Sequence, residues 1–135
     1  MRKQYHFRPG AVGFRAWDVD RLSRLSGHLK SEPVAVTSIR EVDEAYWGQP
    51  MTWRDVAEHG RLIHEADLEF PIILSSDGGI MDGMHRVLKA LMQGRSQVQA
   101  VRFETDPEPD HVGVLDPADL PYDEEINGED GRRDA

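Results

Sequence analysis

The sequence predicts an α+β fold, a small mixed sheet with helices packed against it. Two observations lead there. Short apolar stretches of strand character alternate with segments of helical periodicity along 135 residues, a length that suits one domain with a real core. Between Pro71 and Phe103 the order is strand, turn, strand, glycine turn, helix, strand.

Taken in chain order, residues 1–16 carry Arg2, Lys3, Arg8 and Arg15 among Tyr5, Phe7 and Phe14, broken by Pro9-Gly10. They are expected to form an arm over the body, with a nucleic-acid grip as the sharper reading. Asp18 caps a short helix marked by Val19, Leu22, Leu25 and Leu29, which Ser26-Gly27 ends early. A strand follows over Val34–Ile39, bounded by Pro33. Tyr46-Trp47-Gly48-Gln49-Pro50 reads as a loop, with Trp47 a candidate lid able to stack on a base.

Thr52 opens a second helix, with Asp55 in capping-box position. Val56, Gly60 and Ile63 form its apolar stripe, His59 and Ile63 an adjoining one, and Trp53 is expected to pack it. His59 and His64 lie roughly 140° apart on a helix, so they are not a zinc pair and read as surface or satisfied core histidines.

Pro71–Leu74 is a short strand, and Ser75-Ser76-Asp77-Gly78-Gly79 has turn chemistry. Ile80-Met81 closes a hairpin. Met84–Gln93 is a helix with Val87, Leu88 and Leu91 inward, ended by Gly94. Val98–Phe103 is a strand covered on both faces. The domain therefore spans 17–103, followed by an acidic, proline-punctuated tail over 104–135 that is disordered from about Glu124. Leu115, Leu120 and Tyr122 are placed to pin part of it.

Charge supports this division. The net charge is −9, but residues from Glu104 onward hold 12 acidic and 2 basic side chains, which leaves +1 for the rest. A near-neutral body argues against a broad nucleic-acid surface while allowing a local anion site. The tail offers a surface to a protein partner or a second copy. Absence of cysteine excludes disulfides and thiol chemistry. No apolar run approaches the roughly 18 residues of a membrane span, and Met1-Arg2-Lys3 precedes no apolar stretch, so a cytoplasmic location is expected.

Asp82-Gly83-Met84-His85-Arg86 carries the chemistry. A helix start presents N–H groups without internal partners and a partial positive charge, which together favour an anion. Gly83 removes a Cβ from the approach, Arg86 adds a donor fork, and His85 and Lys89 share a helix face. Asp82 would repel a phosphate unless it held Mg²⁺ between them or took a proton from an attacking hydroxyl. An ordinary capped helix explains the same residues equally well on spacing alone.

The stretch PIILSSDGGIMDGMHRVLKALMQGRSQVQAVRF resembles the core of the ParB/sulfiredoxin-like superfamily (the ParB-like nuclease domain), over about a quarter of the chain. That resemblance implies a bound nucleotide whose phosphates meet Gly83, Met84, His85 and Arg86. Met84 stands where sulfiredoxins have their cysteine, which excludes their activity. Met84-His85 also departs from the Gly-Glu-Arg-Arg of chromosome-partitioning ParB proteins, and centromere binding is not expected. The turn is most similar to the Asp-Gly-His-His-Arg of ParB-like free-serine kinases, keeping four of five positions. By that likeness Asp82 and His85 are catalytic, a nucleoside di- or triphosphate with Mg²⁺ is the cofactor, and an unidentified small molecule is the acceptor. Glu41 or Glu44 would supply that family's upstream glutamate. Three functions follow in order: a nucleotide-dependent phosphotransferase or hydrolase, a non-catalytic nucleotide- or partner-binding module, and a ParB-like nuclease or DNA-binding protein.

Overall fold

The computed structural model describes residues 3–44 and 51–122. Within them lie three α-helices and two small sheets, an α+β fold. Contacts divide the chain into two units, residues 1–25 with 107–135 and residues 26–106. These boundaries differ from the arm, domain and tail expected at 16 and 103, because both ends of the chain contribute strands to one sheet.

In the first unit β1 (Tyr5–Pro9) and β2 (Phe14–Asp18) form an antiparallel hairpin, and β7 (His111–Val114) pairs with β2 on its other side. Residues read as an arm and a tail are thus neighbours in a three-stranded sheet. Asp18 caps α1 (Val19–Ser26) as expected, its Oδ1 accepting the N–H of Asp20 at 2.9 Å. Two further contacts hold the returning segment. Trp17 Nε1 donates to Pro107 O at 2.8 Å, and Tyr5 OH donates to Pro121 O at 2.6 Å. Tyr122 is pinned as anticipated, its ring edge-on to Tyr5 with centroids 5.2 Å apart, whereas Leu115 is exposed. The expected Glu124 boundary of disorder lies outside the described residues.

The second unit contains a four-stranded mixed sheet in the order β3-β6-β4-β5. Its strands are β3 (Glu32–Ala35), β4 (Ile72–Leu74), β5 (Ile80–Asp82) and β6 (Gln97–Arg102). β6 runs antiparallel to β3 and parallel to β4, and the return needed for the parallel pair passes through β5 and α3 (Met84–Met92). Its central position explains why Val98, Ala100 and Val101 are all buried, with Phe103 just beyond.

β3 is shorter and earlier than the strand expected over Val34–Ile39. Pro33 lies inside it, opposite Gln99, which an edge strand tolerates because one edge needs no partner. The last rung is Val36 N–H to Ser96 O at 2.9 Å, after which a 3-10 turn (Val36–Ser38) buries Val36 and Ile39 in the core.

α2 (Trp53–Glu65) begins with both bonds of the expected capping box, Asp55 N–H to Thr52 Oγ1 at 3.1 Å and Thr52 N–H to Asp55 Oδ2 at 3.0 Å. Its packing departs from expectation. No residue of α2 is fully buried, Val56 is exposed, and Trp53 is 90% exposed instead of packing the helix. The physical reason is that α2 leans on α3 along a narrow strip that includes half-buried His59 and Ile63, leaving its other faces outward.

α3 buries Val87 and Ala90 completely, while Leu91 is exposed and Leu88 only partly covered. It ends as expected at Gly94, with φ +71°. The N–H of Gly94 donates to Leu91 O and that of Arg95 to Ala90 O, the paired bonds of a Schellman stop. Val36, Ile39, Ile72, Leu74, Ile80, Val87, Ala90, Val98 and Ala100 form the core, with Met84 packed against it.

Candidate functional site

Asp82 ends β5 and Gly83 turns the chain into α3 with φ +107°, a left-handed conformation. A Cβ here would come within 2.7 Å of Ile72 Cγ2. Gly83 is therefore demanded by backbone conformation and by close packing on β4, apart from any ligand. Its carbonyl accepts the N–H groups of Arg86 and Val87, at 3.0 and 3.2 Å. The N–H groups of Met84 and His85 precede these first helical bonds, the position from which a helix start binds anions.

Arg86 is held from two sides. Its Nη2 donates to Asp82 Oδ2 at 3.0 Å, and Nη1 donates to Pro71 O at 2.7 Å and Phe70 O at 3.2 Å. The guanidinium thus ties the start of α3 to the end of β5 and to the residues entering β4. Burial pushes the Asp82 carboxyl above its usual range, against the pull of Arg86.

His85 extends from α3 toward α2, where its Nε2 lies 3.0 Å from Nδ1 of His59. Burial, then the neighbouring His59, pull the His85 imidazole below its ordinary value, with Asp82 opposing. One turn on, Lys89 faces the same helix and donates from Nζ to His64 O at 2.8 Å and Ala66 O at 2.6 Å. The shared face of His85 and Lys89 is present. It is turned to α2, and Lys89 caps the C-terminal carbonyls of that helix instead of reaching the start of α3.

Of the two candidate glutamates, the structure brings Glu41 to the hairpin. Its Oε2 accepts the N–H of Ile80 at 2.9 Å, and its Oε1 is buried with no hydrogen-bond partner among the described residues. Glu44 is exposed, and its backbone N–H closes the 3-10 turn (Arg40–Asp43) on Glu41 O. Trp47 lies outside the described residues. Ser75 is fully buried and donates to Asp77 Oδ1, which also accepts the N–H of Gly79, so both serve the β4–β5 turn.

A Mg²⁺ ion fits this arrangement poorly. Asp82 offers one carboxylate, already bonded to a guanidinium that is itself anchored on two carbonyls. Among the described residues no group of three His, Cys, Asp or Glu side chains is placed to hold a metal ion. A cation there would face the charge of Arg86 across the same carboxylate.

The pairing of His59 with His85 is the feature that sequence reasoning missed. The two residues are 26 positions apart, and neither a period nor a motif links them. Among the described residues no helix is long and apolar enough to cross a membrane. No family model, curated protein or solved structure matches the chain.

Proposed function

We propose that the start of α3 binds the phosphates of a nucleotide and that the protein is a small nucleotide-dependent phosphotransferase or hydrolase of ParB/sulfiredoxin-like character. The observation that carries this reading is geometric: a left-handed Gly83 opens α3, with Asp82 fixed by Arg86 at 3.0 Å just before it and the N–H groups of Met84 and His85 just after it. Asp82 is pushed up and His85 is pushed down, each chiefly by burial. The displacement moves Asp82 toward the range where a general base is efficient and keeps the His85 ring neutral, and perturbed groups of this kind cluster at functional sites.

In this reading the N–H groups of Met84 and His85 receive phosphate oxygens. Asp82 takes the proton of the attacking hydroxyl, and Arg86 holds that carboxylate in place. His85, neutral at physiological pH, donates to or accepts from the transferring group. The phosphate role of Arg86 is thereby reduced from direct ligand to support for Asp82, because its fork is occupied. Lys89 has no part in phosphate binding, being bonded to α2.

That same occupation favours a second reading, a nucleotide-binding module without turnover, since neither cation is free to stabilise charge developing on a transferred phosphoryl group. Phosphorus NMR of ATP, ADP and CTP incubated with the protein and Mg²⁺ separates the two. An enzyme releases product and loses it in Asp82→Ala. A module releases none and keeps its affinity in that variant.

A further inference from the structure

Two imidazoles meet where α2 leans on α3. Nδ1 of His59 and Nε2 of His85 are 3.0 Å apart, the ring centres 5.3 Å apart, and the ring planes inclined at 36°. The 2.3 Å difference between those separations is about twice the radius of an imidazole ring, so the nitrogens lie on the line between the ring centres. This is the head-on approach of a hydrogen bond. A metal ion on that line would need the nitrogens about 4 Å apart, and one beside the line would draw the ring axes into a V. Neither geometry is present.

Two nitrogens facing each other in this way accommodate one proton, since two lone pairs or two N–H groups repel. We propose that His59 is the positioning residue of His85, sharing a single proton with its Nε2 and thereby setting the tautomer that His85 presents through Nδ1 at the Asp82 turn. This inference rests on the acid–base role proposed for His85. When Nδ1 of His85 takes up a proton, its Nε2 proton passes to Nδ1 of His59. No other bond forms or breaks. The charge then rests on a half-buried ring of α2, a helix with no fully buried residue.

The surroundings are charged on both sides. Asp82 and Arg86 act on His85, and Lys89 stands one turn along the same helix, bonded to the carbonyls of α2. On α2, Asp55 and Glu58 each feel His59, and Glu58 is paired with Arg61 at 2.7 Å. Burial, then His59 and Arg86, disfavour a positive charge on His85, with Asp82 opposing.

Ring-nitrogen NMR of the ¹⁵N-labelled full chain tests this from about pH 5 to about pH 8. His59 and His85 are expected to titrate as a coupled pair, with His85 in one tautomer throughout its neutral range. His59→Asn, whose amide stands near the position of Nδ1, should keep that tautomer and remove the coupling. His59→Leu should leave His85 with mixed tautomers and a single-step titration. Unchanged signals from His6, His28, His64 and His111 report that each variant is folded. Identical titration and tautomer of His85 in wild type and His59→Leu would overturn the proposal.

A second arm reads ATP binding and turnover in the same variants. His59→Leu should bind ATP as wild type does and turn it over about tenfold more slowly or worse. Unchanged turnover with an altered tautomer removes the role in proton transfer. Failure of every form to bind ATP, ADP or CTP defeats the phosphate reading and, with it, the role assigned to His85, while the NMR result still decides whether the two rings share a proton.

Discussion

Nη2 of Arg86, in the first turn of α3, meets Oδ2 of Asp82, the last residue of β5, at 3.0 Å, while Nη1 holds the carbonyls of Phe70 and Pro71. One guanidinium therefore joins three segments that the chain delivers separately. Arg86→Ala strands a largely buried carboxylate and two carbonyls, and should lower stability by about 2–4 kcal/mol, the pair being partly screened at its edge. Arg86→Lys should recover little, because an ammonium cannot fork. The midpoint of urea unfolding at constant slope measures both.

Gly83→Ala meets two obstacles at once, φ +107° and a Cβ 2.7 Å from Ile72 Cγ2. The expected cost is about 2–4 kcal/mol, read from the same urea midpoint. In a double-mutant cycle Ile72→Ala, which removes Cγ2, should reduce the cost of Gly83→Ala by the share the clash contributes, and leave it unchanged where conformation alone is responsible.

His85 and Asp82 should leave opposite marks on stability against pH. The folded value of His85 lies below the ordinary 6.5, so as pH falls through 6.5 the unfolded chain takes up that proton first. Stability contributed by the neutral ring is full above 6.5 and lost toward the folded value. Asp82 is displaced upward from 3.8, so the folded state takes its proton first. Its contribution is full below 3.8 and lost as pH rises through the folded value. Thermal unfolding across this range should lose the first slope in His85→Gln and the second in Asp82→Asn.

Lys89→Met keeps most of the aliphatic stem and removes the bonds to His64 O and Ala66 O. A loss of about 1 kcal/mol is expected, since one charged donor caps two helix-end carbonyls. Hydrogen exchange should quicken in the last turn of α2 and remain unchanged at the start of α3. A loss of nucleotide affinity in this variant would instead return Lys89 to the phosphate site.

Features decided within a few residues were legible in the sequence. The Thr52–Asp55 capping box, the Asp18 cap and the Gly94 stop each follow from local backbone chemistry, and each is present. Features decided by packing were not. Leu91 and Ala90 both fit the inward spacing of α3, and the helix buries the smaller. Trp53 is expected by its apolarity to pack α2, yet that helix has too narrow a contact to cover it. β7 is hidden because His111–Val114 is short and set in an acidic, proline-rich stretch whose composition resembles a tail. At the candidate site Asp82 through Arg86 stand out from local chemistry alone. Nothing in their spacing shows that Arg86 and Lys89 face inward bonds or that His85 has a histidine partner.

Calorimetric titration with ATP, ADP and CTP, each with and without Mg²⁺, bears most directly on the central claim that the start of α3 holds nucleotide phosphate. Saturable heat with at least one nucleotide is predicted, competed by inorganic pyrophosphate and accompanied by shifts of the Met84 and His85 amide signals. No detectable heat at millimolar nucleotide, or binding that leaves those two amides unmoved, would contradict it.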